Sequence, residues 1–201
     1  MLTPATSNHP RRGARGWKGF ACLARSSTTS GPMPSPVVLD FTRNEEIYGE
    51  HAPAAFVYRV VSGAVRSVRT LRDGRRLISA FHLPGDAFGL ELGTSYRFRA
   101  EAVVDTSIAV VRRSELESRA GATEAFGDSL WRVTCLELER AQSQMLLLGR
   151  KSATERVAAF LLDMVDRGAG EGVVELPMSR ADIADYLGLT IETVSRTFTQ
   201  L

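Results

Sequence analysis

Between Val37 and Arg113 the apolar residues come in short, alternating runs, and beyond Ser114 their spacing lengthens to threes and fours. The first regime predicts strands and the second predicts helices. AFVYRVV (55–61) leads through Ser62-Gly63 into AVRSVRTL (64–71), and that run leads through Asp73-Gly74 into RRLISAFHL (75–83), which closes on Pro84-Gly85-Asp86. Asp-Gly between β-rich runs predicts a hairpin with a type I′ turn, in which both central residues take positive φ. Further strand-like runs cover 99–104 and 107–111. Short strands at regular spacing with turn residues between them predict an antiparallel barrel or roll.

The helical half opens at Ser114, which with Glu117 reads as a capping box. From 124 to 150 only Gly127 and Gly149 interrupt a helical composition. Within it Trp131, Thr134, Leu138, Ala141, Met145 and Leu148 follow one another at alternate spacings of three and four, a heptad-like seam. Periodicity leaves two readings of this seam open, an intramolecular core or a parallel dimer interface. Ser152 and Glu155 form a second capping box, opening a helix with Val157, Phe160, Leu161, Met164 and Val165 apolar that stops at Gly168. A glycine-rich turn (168–172) and a short strand VVEL (173–176) are expected next. No solenoid repeat is visible.

Near the end of the chain, Ser179 is a good N-cap with Asp182 in the first turn, for a helix with Ile183, Ala184 and Leu187 on one face. Gly188 breaks that helix and Thr190 caps the next one. Two short helices joined by a tight Gly turn, with a small Ala184 where their axes approach, describe a helix-turn-helix. In the second helix Val194, Phe198 and Leu201 share a face expected to bury against the first. Glu192, Ser195, Arg196 and Thr199 repeat the same spacing on the opposite side. In a helix-turn-helix that outer face enters the major groove, where Arg donates to guanine O6 and N7 and a carboxylate accepts from cytosine N4. Ile191 suits a thymine methyl, and Thr190 at the helix N-terminus suits a phosphate, with Arg180, Ser179 and Thr199 as further candidates for phosphate. The plainer reading of Glu192 and Arg196 is an i,i+4 surface ion pair.

Composition adds a boundary and a complication. The chain has 201 residues, 44% of them hydrophobic, enough for a proper core. The net charge of +2 divides into +5 over residues 1–39 and −3 over the rest, which is not the basic footprint expected of a whole nucleic-acid-binding domain. Residues 1–36, rich in Ser, Thr, Pro, Gly and Arg, are expected to be mostly disordered, a flexible basic arm or an over-extended translation start in preference to a transit peptide. No apolar run has the length of a membrane span or of a secretory signal. Cys22 and Cys135 suggest no disulfide framework, which points to a reducing cytoplasm, and with His9, His51 and His82 they have no metal-site spacing. Cys135 reads as a buried small hydrophobe before it reads as a redox switch. The nucleophile-elbow, P-loop, HExxH and dinucleotide motifs are missing, so an enzyme is not the expected class.

The motifs LPMSRADIADYLGLTIETVSR and ISAFHLPGDAFGLE, with the Ser62-Gly63 turn and the long preceding helix, resemble the CRP/FNR transcription regulators and their FixK-like branch over Val37 to Leu201. The resemblance implies an α+β fold: a β-roll (37–123), a dimerisation helix (124–150) and a winged helix-turn-helix (151–201) whose wing would follow Leu201. It favours the homodimer reading of the seam. It implies double-stranded DNA as partner, through an E-x-x-S-R pattern carried here by Glu192, Ser195 and Arg196 that reads a TTGA–TCAA inverted repeat. It also implies RNA polymerase recruitment by a β-roll loop, and control of microoxic respiration or nitrogen-fixation genes. Iron–sulfur sensors of the family use an N-terminal cysteine group, whereas Cys22 stands alone. Its cyclic-nucleotide binders use a Glu and an Arg-Ser or Arg-Thr pair, whereas Glu91 is followed by Tyr96-Arg97-Phe98-Arg99. The expectation is a regulator without a resident cofactor. The alternative is a ligand-gated one whose effector sits between Pro84 and Glu91.

Overall fold

A computed structural model describes residues 36–120, 124–168 and 175–201. The expected arm lies outside the described residues except for Pro36, as do the glycine-rich turn beyond Gly168 and residues 173 and 174 of the expected VVEL strand. Glu175 and Leu176 are not in a strand.

Among the described residues, eight strands form two four-stranded antiparallel sheets. They are β1 (Val37–Phe41), β2 (Glu46–Tyr48), β3 (Phe56–Ser62), β4 (Val65–Thr70), β5 (Arg76–His82), β6 (Ala87–Phe88), β7 (Arg99–Ala102) and β8 (Thr106–Arg112). The orders are β1-β8-β3-β6 and β2-β7-β4-β5. The five strands read from the sequence are present within a residue or two. The three unread ones are short or lack alternation: β2 and β6 have three and two residues, and in β1 Val37, Val38 and Leu39 are all exposed.

The Asp73-Gly74 hairpin forms, but not with a type I′ turn. Gly74 takes φ +83 and Asp73 does not take positive φ. Gly74 N–H donates to Leu71 O at 2.9 Å, and Asp73 Oδ1 accepts from Arg75 N–H at 3.1 Å. The loop runs over 71–75, long enough for an ordinary turn followed by one left-handed residue. Ser62-Gly63 turns as expected, with Gly63 at φ +82.

Among the described residues five helices follow: α1 (Arg113–Ala120), α2 (Glu124–Arg150), α3 (Ala153–Arg167), α4 (Arg180–Leu187) and α5 (Ile191–Gln200). The first capping box is not made. α1 starts one residue earlier, and Arg113 Nε takes Glu117 Oε1 at 2.8 Å while its Nη1 donates to Gly93 O. The guanidinium thus ties helix to roll, and Ser114 falls inside the helix. The second box is complete: Ser152 Oγ accepts from Glu155 N–H and the Glu155 carboxylate accepts from Ser152 N–H, and Gly168 ends the helix.

Two cores result. Inside the roll, Tyr58, Val60, Val65, Phe88, Tyr96, Ala100 and Ile108 pack together, with the Tyr48 and Tyr96 rings stacked 3.8 Å apart. The second core is shared by roll and helices. Val68, Ile78 and Phe81 pack with Leu147 of α2, Phe160 of α3, Ile183 and Leu187 of α4 and Val194 of α5. The helix-turn-helix therefore sits on the outer face of the β4–β5 sheet.

Candidate DNA-binding site

α4 begins at Ser179, whose hydroxyl oxygen accepts from Asp182 N–H at 3.1 Å, while Asp182 Oδ2 accepts from Ser179 N–H at 3.2 Å. This capping box leaves the hydroxyl committed, donating to Asp182 Oδ2 at 2.8 Å. The helix ends at Gly188, φ +61, and Leu189 N–H returns to Ala184 O at 3.0 Å. Positive φ is what lets the chain reverse here in three residues. Thr190 then caps α5, accepting from Thr193 N–H at 3.2 Å. Ile183, Ala184, Leu187 and Val194 are all buried between the two helices and α3.

The outer face of α5 is open: Ile191, Glu192, Ser195, Arg196 and Thr199 are exposed. The inner face differs from the expected stripe. Val194 is fully buried and Phe198 half-buried, but Leu201 is 66% exposed and Thr197 is buried instead. Leu201 is the C-cap residue, beyond the last helical turn. Thr197 can be buried because its hydroxyl donates to Thr193 O at 2.9 Å, which satisfies its polar group inside the helix. Thr199 does the same at the surface, donating to Ser195 O at 3.1 Å.

Among the described residues Glu192 and Arg196 make no ion pair. The Glu192 carboxyl is held below its ordinary range by its own backbone N–H, then by the Thr190 hydroxyl. An acid so used at a helix start is stabilised by the exposed N–H groups there, and the Arg196 guanidinium, which makes no hydrogen bond among the described residues, adds a smaller attraction. Arg180 is exposed and lies over the Phe198 ring, 3.4 Å from its centroid. That cation–π contact places a charge beside the N-terminus of α4 and against α5 together. Along α2, Trp131 (70% exposed), Leu138 (58%) and Met145 (66%) stand in solvent with Thr134 and Ala141, while Leu148 packs partly onto the shared core.

Sequence reasoning missed the residues that seat these helices. Arg156 Nη1 donates to Leu187 O at 3.1 Å and its Nη2 to Leu148 O at 2.8 Å, joining the ends of α4 and α2. Gln144 Nε2 donates to Tyr186 O at 2.8 Å. Arg66 of β4 reaches Asp182 at 3.0 Å. These pairs lie 8 to 116 residues apart along the chain, so no local pattern announces them.

In the roll, Glu91 accepts from Arg97 N–H at 3.1 Å and from Arg97 Nε at 2.8 Å. Tyr96 is buried and its hydroxyl donates to Phe56 O at 2.7 Å. His82 is a core residue, 5% exposed, with Nε2 2.9 Å from Ser67 Oγ. Cys135 is a half-buried free thiol. None of the described helices is long and apolar enough to cross a membrane.

Comparison with known proteins agrees with this geometry. A cyclic nucleotide-binding domain matches residues 38–120, and a Crp-like helix-turn-helix domain matches residues 155–201. The nitrogen fixation regulation protein FixK of Azorhizobium caulinodans is 51% identical over 183 residues, covering 89% of this chain and 73% of that protein. The FixK of Rhizobium meliloti is 44% identical over 171 residues, covering 85% and 78%. The structure of FixK2 from Bradyrhizobium japonicum superposes with a TM-score of 0.80 at 57% identity, over 83% of this chain and 84% of that one. The roll, the long helix, the helix-turn-helix and these relatives place the chain in the CRP/FNR family of transcription regulators, among the FixK-like members.

Proposed function

We propose that this chain is a transcription activator that binds, as a homodimer, a TTGA–TCAA-like inverted repeat and controls genes of nitrogen fixation or microoxic respiration. The observation that carries the reading is the second face of α5, exposed along its whole length and polar except for Ile191, while Val194 and Thr197 on the other side are buried. Arg196 reads guanine through O6 and N7, Glu192 accepts from the cytosine amino group, Ser195 contacts the adjoining base and Ile191 packs on a thymine methyl. Thr190, Arg180, Thr199 and the Ser179 end of α4 meet phosphates and set the register. Thr199 and Ser179 have hydroxyls already donating within the protein, so each would offer a phosphate only a reoriented hydroxyl or a neighbouring N–H.

The homodimer forms along Trp131, Thr134, Leu138, Ala141, Met145 and Leu148 of α2, placing the two reading helices on half-sites about one helical turn apart. The domain division 37–123, 124–150 and 151–201 follows the same scheme, with a β-roll loop recruiting RNA polymerase in the cytoplasm. Glu91 engaged by Arg97, and the roll interior filled by stacked tyrosines, support a reading without a cyclic-nucleotide effector.

Fluorescence anisotropy at one fixed salt concentration tests the reading, with and without cAMP. Tight binding to the repeat should fall by about 1–3 kcal/mol per replaced guanine contact, or with Arg196→Ala. Equal and weak binding to all duplexes, with or without cAMP, would remove the assigned reading face. Tight binding only with cAMP would make the roll a ligand-gated sensor.

A further inference from the structure

Asp182 divides its two carboxylate oxygens. Oδ2 closes the capping box with Ser179, and Oδ1 accepts from Arg66 Nη1 and from Arg76 Nη2, each at 3.0 Å. A capping box does not require this. The equivalent carboxylate of Glu155 at the head of α3 is exposed, and among the described residues its hydrogen bonds go to Ser152 alone. Asp182 is 4% exposed and Arg66 7%. Arg66 cannot swing away, because its Nε and Nη2 donate to Glu101 Oε2 at 2.8 and 2.6 Å and its Nη2 also donates to Asn44 Oδ1 at 3.1 Å. One planar guanidinium thus joins β4, β7 and the first helix of the reading head, which a lysine's point charge does not reproduce. A second junction holds the other end with the charges reversed. Asp86 after β5 accepts from Arg140 of α2 at 3.0 Å and from Arg167 of α3 at 2.8 Å.

We propose that Arg66 and Arg76 are positioning residues that clasp Asp182 and fix the angle between the reading head and the dimer helix, so that the β-roll selects the spacing of the two half-sites. The proposal rests on the dimeric DNA-binding reading above. Each base pair added between half-sites displaces one of them by about 3.4 Å and turns it by about 35°. A head clasped from the roll as well rejects that change, whereas a head held only by the single Gln144 and Arg156 contacts to backbone carbonyls and by apolar packing follows it. None of the clasping residues touches DNA in this arrangement, so half-site affinity stays with α5.

The test compares wild type, Arg66→Lys and Arg76→Ala on three duplexes: the inverted repeat, the repeat with one extra central base pair, and a single half-site. Wild type is expected to prefer the native spacer strongly. Both variants should lose about tenfold of that preference while their half-site affinity stays within about twofold. An unchanged spacer preference in both variants overturns the proposal. So does a parallel loss on all three duplexes, which would make the pair a fold-stabilising one. Amide exchange of the full-length protein without DNA gives a readout independent of sequence recognition. In Arg66→Lys the α4 amides (Arg180–Leu187) should exchange at least tenfold faster than in wild type, with α3 amides (Ala153–Arg167) unchanged. If wild type binds no duplex selectively, the DNA reading and the spacing role fall together, and unchanged α4 exchange would sink the clasp as well.

Discussion

His82 lies inside the roll with its ring stacked 5.1 Å from Phe88 and Nε2 against Ser67. Burial pushes its pKa down to about 4 from 6.5, the nearby Arg167 and Arg140 acting the same way and Asp86 opposing them. The folded imidazole is therefore neutral where an unfolded one is charged. Stability from this group is complete above about pH 6.5 and falls as pH drops towards 4, by an amount on the order of 3 kcal/mol. Melting temperature followed from pH 7 to 4 should show that decline, and His82→Gln, which keeps a partner for Ser67, should flatten it. The clasp follows a different pH dependence. Burial opposes the Asp182 charge, but Ser179, Arg66 and Arg76 outweigh it and hold the carboxyl below its ordinary 3.8. Its contribution is lost only as pH falls below about 5, so the decline between about pH 7 and 5 belongs to His82. Arg66→Ala leaves Asp182 with the Arg76 cation alone and Glu101 with the Arg99 cation alone in a buried site and should destabilise the fold by about 3 kcal/mol, measurable by urea unfolding. The sequence distinguishes neither residue from a surface one. His82 and Arg66 sit in alternating strands, and only the fold shows what lies above each.

At the scale of the element, helix ends were the most legible feature. Ser152, Ser179 and Thr190 all cap, because a hydroxyl three residues before a free N–H is a local interaction that needs nothing from the rest of the chain. Faces were less legible. The stripe Val194, Phe198, Leu201 assumed that apolar means buried, and Thr197 displaced Leu201 by satisfying its hydroxyl within its own helix. Turns depend on loop length as well as composition, which is why Asp73-Gly74 turned without the doubly positive φ. Two other glycines separate steric from backbone strain. At Gly188 an added Cβ would meet nothing nearer than 3.7 Å, so Gly188→Ala should cost only the left-handed conformation, about 1 kcal/mol. At Gly63 it would lie 2.5 Å from the Asp105 carbonyl oxygen, at φ +82. Backbone must then move as well, so Gly63→Ala should cost several times as much in the same unfolding assay.

At the scale of the molecule, the β-roll and the helix-turn-helix share a core. Val68, Ile78 and Phe81 close over Leu147 to Val194, 66 to 126 positions later in the chain, and this is what gives the clasp a rigid base. A segment-by-segment reading separates the domains and misses their union, since the shared core is built from residues distant in sequence. The seam of α2 presents the converse case. Its heptad was legible, but its partner was not, and Trp131, Leu138 and Met145 stand exposed seven residues apart. Burying three such side chains is favourable by about 2 kcal/mol each, enough to offset much of the cost of association when two copies pair in parallel. In that arrangement Leu138 faces its own counterpart, so Leu138→Glu sets two carboxylates against each other in an apolar seam. Sedimentation equilibrium should then show the dimer dissociation constant rising at least a hundredfold, with the fold of each chain retained because the substituted position is already in solvent. Affinity for the inverted repeat should fall with it, while affinity for one half-site stays where α5 sets it. A variant that remains dimeric, or one that loses the half-site as well, would move the interface away from α2.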